Sequence, residues 1–141
     1  MGKYMLADLD FGLPLKENSV GAICCNLVIS YLQNPGRTLG DLVRLLKPGG
    51  RIVVTSLKPF ADMSQVYRNF IKIAKCKSDI DEARKLLSNA GRIKVKEAHG
   101  VYEFFSEDAL VKLLNISGIS EIETFRSLGD QANVAVGVKN S

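Results

Sequence analysis

Three cysteines and a single histidine have the widest chemical reach in this 141-residue chain, and their spacing narrows what they do. Cys24 and Cys25 are adjacent, so on any strand their thiols point to opposite faces and cannot bond to each other. Cys76 leaves an odd count, no Cys-x-x-Cys pair occurs, and His99 stands alone. This makes neither a disulfide framework nor a zinc site, and it favours a reducing, cytoplasmic compartment. Asp8 and Asp10 end the apolar stretch Tyr4 to Leu9. Taken alone, carboxylates at such a place cap a turn or face solvent. Asn26 is the one strongly hydrogen-bonding side chain between Val20 and Leu27.

Charge offers no second chemistry. Nineteen Lys and Arg against fifteen Asp and Glu give +4, spread from Lys3 to Lys139. The densest run, Lys72 to Lys77, is broken by Ile73 and Ala74 and lacks interleaved aromatics, so it reads as a solvated helix end; no nucleic-acid partner is expected. No membrane association is expected either: no apolar stretch reaches spanning length, and Lys3 and Asp8 interrupt the first residues as no signal peptide would. Asn115-Ile116-Ser117 has glycosylation spacing, but it ends a helix in a chain with no export signal.

The elements that must position these residues follow from pattern. With 46% hydrophobic residues the chain has material for a core, and one domain spanning 1–141 is the reading. Tyr4 to Leu9 reads as a strand end running into its loop. Val20 to Leu27 is small or apolar almost throughout, as in a parallel strand covered on both faces. Asn34 then Pro35 starts a helix with Leu39, Leu42, Val43 and Leu46 on one side, and Lys47-Pro48-Gly49-Gly50 stops it. Arg51 to Ser56 is the next buried strand. Strand, helix, strand in this order predicts a right-handed crossover and an α/β fold.

Further on, Met63, Val66, Tyr67 and Phe70 mark one helix. A second runs from Ser78 through Ile80, Ala83, Leu87 and Ala90 to Gly91. Arg92 to Phe105 reads either as a short strand or as a loop over a cleft. Ser106 caps a helix whose first turn holds Glu107 and Asp108 and which Gly118 closes. Ile119 to Phe125 and Ala132 to Val138 alternate around Leu128-Gly129-Asp130-Gln131 and predict an antiparallel hairpin.

Ala7-Asp8-Leu9-Asp10-Phe11-Gly12-Leu13-Pro14-Leu15, Lys16 to Ile23, Leu32-Gln33-Asn34-Pro35 and Leu42 to Arg51 together resemble, in order and spacing, the C-terminal part of class I S-adenosylmethionine-dependent methyltransferases. The nearest type is the small-molecule group that includes quinone-biosynthesis C-methyltransferases. The resemblance implies a partial Rossmann-like sheet with helices on both faces and a C-terminal antiparallel hairpin.

It also implies roles. Asp8 would accept from the exocyclic amine of the cofactor's adenine, and the Leu9 amide would donate to the ring. Cys25, Asn26 and Leu27 would lie by its methionine part. Tyr31, His99 and Tyr102 would line the pocket of a small-molecule methyl acceptor, His99 and Tyr102 being candidates for a base. Lys47 to Gly50 are structural.

Two departures shape the expectation. Gly21 stands where the family has Asp, removing a hydrogen-bonding anchor for the neighbouring loop. No Gly-x-Gly occurs, so the first two strands, the glycine loop and the ribose-binding acid are expected to be missing, two β-α units of about 30 residues each. The isolated chain is then expected to bind S-adenosylmethionine weakly or not at all. In the family the missing strands separate the third from the fourth, which leaves strand 20–27 as a bare edge. Three outcomes follow: Tyr4 to Leu9 pairs with that edge, a second copy does so in a dimer or larger homo-oligomer, or an N-terminal half docks there. The alternative function is a non-catalytic module that oligomerises through strand 20–27.

Overall fold

The first long helix begins as its sequence implies. In the computed structural model, which describes residues 4–141, the Asn34 side chain accepts from the Arg37 amide at 3.0 Å and Pro35 opens helix α1, Pro35–Leu45. Leu39, Leu42, Val43 and Leu45 are buried on one side of α1. The strands flanking it, β1 (Val20–Asn26) and β2 (Leu46–Leu57), pair in parallel, so the crossover expected from the pattern is present.

Strands β3 (Ile119–Ser127) and β4 (Ala132–Lys139) form the antiparallel hairpin, turning through Leu128, Gly129 and Asp130 at positive φ. β4 inserts beside β2, also antiparallel, giving the order β1-β2-β4-β3. Helix α4 (Glu107–Ile116) is capped by Ser106, whose Oγ accepts from the Ala109 amide at 3.2 Å. Its Leu110 and Leu114 join Leu39, Leu42 and Val43 over Ile52, Val54 and Ala135 in one core cluster.

Four expectations change. Residues 4–8 form no strand; Tyr4 and Leu6 are fully exposed, and the segment ends in a short 3₁₀ turn, Leu9–Phe11. With no ladder partner there is nothing to hold it extended, and β1 pairs with β2 alone among the described residues. β1 is accordingly an edge strand with Gly21, Ala22 and Cys24 exposed, covered on one face only.

Lys47 to Gly50 do not simply precede β2 but lie within it as an excursion, the register jumping from Val20↔Leu46 to Ala22↔Arg51. Gly50 is required there. A Cβ would sit 2.8 Å from the Lys47 carbonyl oxygen and 3.0 Å from that of Gly21, both backbone atoms.

Finally, after α2 (Met63–Ile73), helix α3 runs Lys77–Ala98, straight through Gly91 and the alternating residues 92–96. Gly91 meets open space and keeps helical φ, so it costs propensity without forcing a stop. The stop is at Gly100, φ 69°: the Gly100 amide donates to Glu97 O and the Val101 amide to Lys96 O, the paired bonds of a Schellman motif.

Candidate functional site

Ligands of parallel α/β sheets bind outside the carboxyl ends of the strands, and here two candidate segments meet at that end of β1. The first is residues 8–12. Asp8 caps the 3₁₀ turn, its Oδ1 accepting from the Asp10 amide at 3.0 Å, which is the turn-capping role its type alone suggested. The second carboxylate oxygen of this exposed residue accepts from no group among the described residues, and the Leu9 amide has no protein acceptor among them. Asp10 ties this segment to the next: its carboxylate accepts from the Gln33 amide at 2.9 Å and its carbonyl from Arg37 Nη1 at 3.2 Å.

The second segment follows β1. Asn26 is exposed, and Thr55 at the matching position of β2 donates from Oγ1 to Asn26 Oδ1 at 2.6 Å. The Leu27 amide donates to that same hydroxyl at 2.7 Å, and Leu27 adopts φ 54°, uncommon for a residue with a branched side chain. Cys25 points the other way, buried into the core, and burial together with neighbouring Cys24 pushes its thiol above the ordinary range. It therefore packs rather than faces a ligand.

Tyr31 and Tyr102 are brought together, their rings edge to face at 4.8 Å, with Phe104 edge-on to Tyr31 at 5.9 Å. Partial burial and then Tyr102 raise the Tyr31 hydroxyl above its usual value. Lys96 Nζ donates to the Tyr102 hydroxyl at 3.1 Å. His99 does not join them: it is the exposed cap at the end of α3, its amide donating to Val95 O. Beyond this cluster, α2 and α3 face each other across a cleft of about 500 Å³ lined by Met63, Val66, Tyr67, Phe70, Leu86 and Leu87 among others.

Sequence reasoning missed the buried polar network that fixes this end of the molecule. Ser56 Oγ donates to Leu57 O at 2.7 Å and accepts from the Phe105 amide at 3.0 Å. Its one proton being used, Ser30 is the donor in the 2.9 Å contact between the two hydroxyls. Asn133 Nδ2 donates to Phe105 O at 2.9 Å. Segment 104–105 is thus anchored to the ends of β2 and β4. Thr55 and Ser56 ending an otherwise apolar run were the available signal.

The loop that Gly21 deprives of its family acid is held by other groups. The amides of Asn18 and Ser19 donate to Arg44 O and Leu45 O, and Lys139 Nζ donates to Asn18 Oδ1 at 2.9 Å and Leu46 O at 2.7 Å.

Comparison with known proteins agrees with this geometry. Residues 2–54 match the family model described as a methyltransferase domain. A demethylmenaquinone methyltransferase of Renibacterium salmoninarum is 28% identical, the match covering 50% of this chain and 33% of that protein. A methyltransferase structure from Thermotoga maritima, described as dependent on S-adenosylmethionine, superposes with TM-score 0.59 at 18% identity, over 95% of this chain and 62% of that one. The CurJ carbon methyltransferase gives TM-score 0.61 at 18% identity, over 96% and 34%. The chain therefore spans about a third of its curated relative and under two thirds of these structures. With the sequence match falling on the two segments that meet at β1, and the fold shared along nearly the whole length, this chain resembles methyltransferase domains over residues 2–54 and has the fold of S-adenosylmethionine-dependent methyltransferases.

Proposed function

We propose that the described residues form the adenine-side and methionine-side walls of an S-adenosylmethionine site in an enzyme that methylates a small molecule. The observation that carries this reading is the junction of segments 8–12 and 26–33 through Asp10 at the carboxyl end of β1. Their polar atoms fit such a cofactor. The second carboxylate oxygen of Asp8 and the unused amide of Leu9 complement an aminopurine edge, while the Asn26 amide supplies donors for a carboxylate.

When bound, the cofactor supplies an electrophilic methyl group on a sulfonium; the protein's share is alignment and exclusion of water. Asp8 and Leu9 fix the adenine, and Asn26 with the Leu27 turn limits how far the methionine part reaches. Tyr31, Tyr102 and Phe104 form an aromatic wall beside that point, suited to a flat or apolar acceptor, and the α2–α3 cleft is of small-molecule size. Tyr102, held by Lys96, stands in this wall, whereas His99 does not join it. Donors to the ribose and a glycine-rich backbone approach come from outside these residues, so affinity for the cofactor is low in this chain alone. Cys24 and Cys76 are free and exposed, consistent with a reducing cytoplasmic setting.

Titrating S-adenosylhomocysteine into the ¹⁵N-labelled chain is expected to shift the amides of Asp8, Leu9, Asn26 and Leu27 at millimolar concentration. Asp8→Asn keeps the turn cap but loses one acceptor, and is expected to weaken binding about five- to tenfold, the ~1 kcal/mol of one hydrogen bond. Unmoved signals at all four positions would sink the proposal.

A second reading rests on the unpaired edge of β1. A second copy of the chain, or an N-terminal half, adds a strand there, and in the first case the chain acts as a non-catalytic interaction module.

A further inference from the structure

Thr55 lies on β2, outside every motif that carries the family resemblance, yet it governs an exposed polar group at the ligand end of the sheet. Its hydroxyl oxygen accepts from the Leu27 amide at 2.7 Å, so its single proton is free to go to one partner, and Asn26 Oδ1 lies 2.6 Å away. Reversing the Asn26 amide would put an NH2 group against that oxygen and give up the acceptor that the Thr55 proton has at 2.6 Å, turning it to solvent. The network therefore sets the amide's orientation: Oδ1 inward, Nδ2 outward.

No protein acceptor for Nδ2 exists among the described residues, and Asn26 is exposed. The backbone agrees, since Leu27 turns away at φ 54° and its amide donates both to the same hydroxyl and, at 3.2 Å, to the Thr55 carbonyl.

We infer that Thr55 is a positioning residue that locks Asn26 as a two-proton donor aimed at an anionic or carbonyl oxygen of the bound molecule. The inference rests on the cofactor reading only for the identity of that oxygen, the carboxylate of the methionine part. It makes Asn26 selective by polarity: a ligand offering a donor at this point meets N–H groups and is rejected, because one of the two donors is left unpaired.

The test follows the Asn26 side-chain NH2 signals of the ¹⁵N-labelled chain, with S-adenosylhomocysteine as probe. In the free protein the amide is expected to be as ordered as the β1 backbone by heteronuclear relaxation, to lose that order in Thr55→Val, and to keep it in Thr55→Ser. On titration the NH2 signals shift, with apparent affinity at least fivefold weaker in Thr55→Val and within twofold of wild type in Thr55→Ser. An amide as mobile in the wild type as an exposed asparagine overturns the inference, even if Thr55→Val fails to fold. Shifts at Asp8 and Leu9 with none at the Asn26 NH2 overturn the donor role but leave the cofactor reading standing. Absence of shifts at all of them overturns both.

Discussion

Ser56 shows how much of this site depends on single hydroxyls. Its Oγ is fully buried and serves Phe105, Ser30 and Leu57 at once. Ser56→Ala removes an acceptor while leaving the Phe105 amide and the Ser30 hydroxyl in place. Leaving such groups buried and unpaired costs about 1–3 kcal/mol, and urea unfolding is expected to show a loss of that size. Replacement of both Ser30 and Ser56 by Ala should cost less than the sum of the single changes, because each removes a partner the other lacks. Strict additivity would show that the two hydroxyls are not coupled. Thr55 and Ser56 are neighbours with opposite duties, one facing the crevice and the other the core, as the two faces of a strand require.

At the level of elements, the excursion at Lys47 to Gly50 is the most demanding local geometry. Gly50→Ala places a methyl group against two backbone carbonyls that cannot swing aside, and overpacking of this kind costs about 1–3 kcal/mol. Gly21→Ala, whose Cβ meets open space, is expected to stay within ~0.5 kcal/mol of wild type. Thermal unfolding of the two variants checks the contrast, and equal losses would refute it. Both parallel strands, the helix between them and the hairpin were legible because their patterns are local: cap, period and turn residues lie within each element. The α3 boundary was not, because Gly91 permits a stop without compelling one, whereas Gly100 owes its role to a positive φ that only the folded chain reveals. Cys25 was misplaced for a related reason: adjacent residues of a strand face opposite ways, and sequence did not say which faced inward. The partnership of Thr55 with Asn26 depends on the register of two strands and was invisible for the same cause.

For the molecule as a whole, the open side of β1 is the main unresolved demand. Its Gly21, Ala22 and Cys24 are exposed, and no charged residue guards the strand. If a second copy pairs there, sedimentation will show mass rising with concentration, and Cys24→Lys will return the chain to a monomer; a wild type that stays monomeric at high concentration, with fast-exchanging β1 amides, would exclude self-pairing. The opposite part of the fold has a different economy. The α2–α3 pair leaves the sheet after β2, and the chain rejoins it at β4 through α4 and β3, the sheet's internal pairing owing nothing to the pair's sequence. Closure of a flexible loop costs only ~0.6 kcal/mol more for each doubling of its length. The helical pair can thus lengthen, shrink or change its lining while the strands keep their register, so that one scaffold could be refitted to new guests by editing a single insertion.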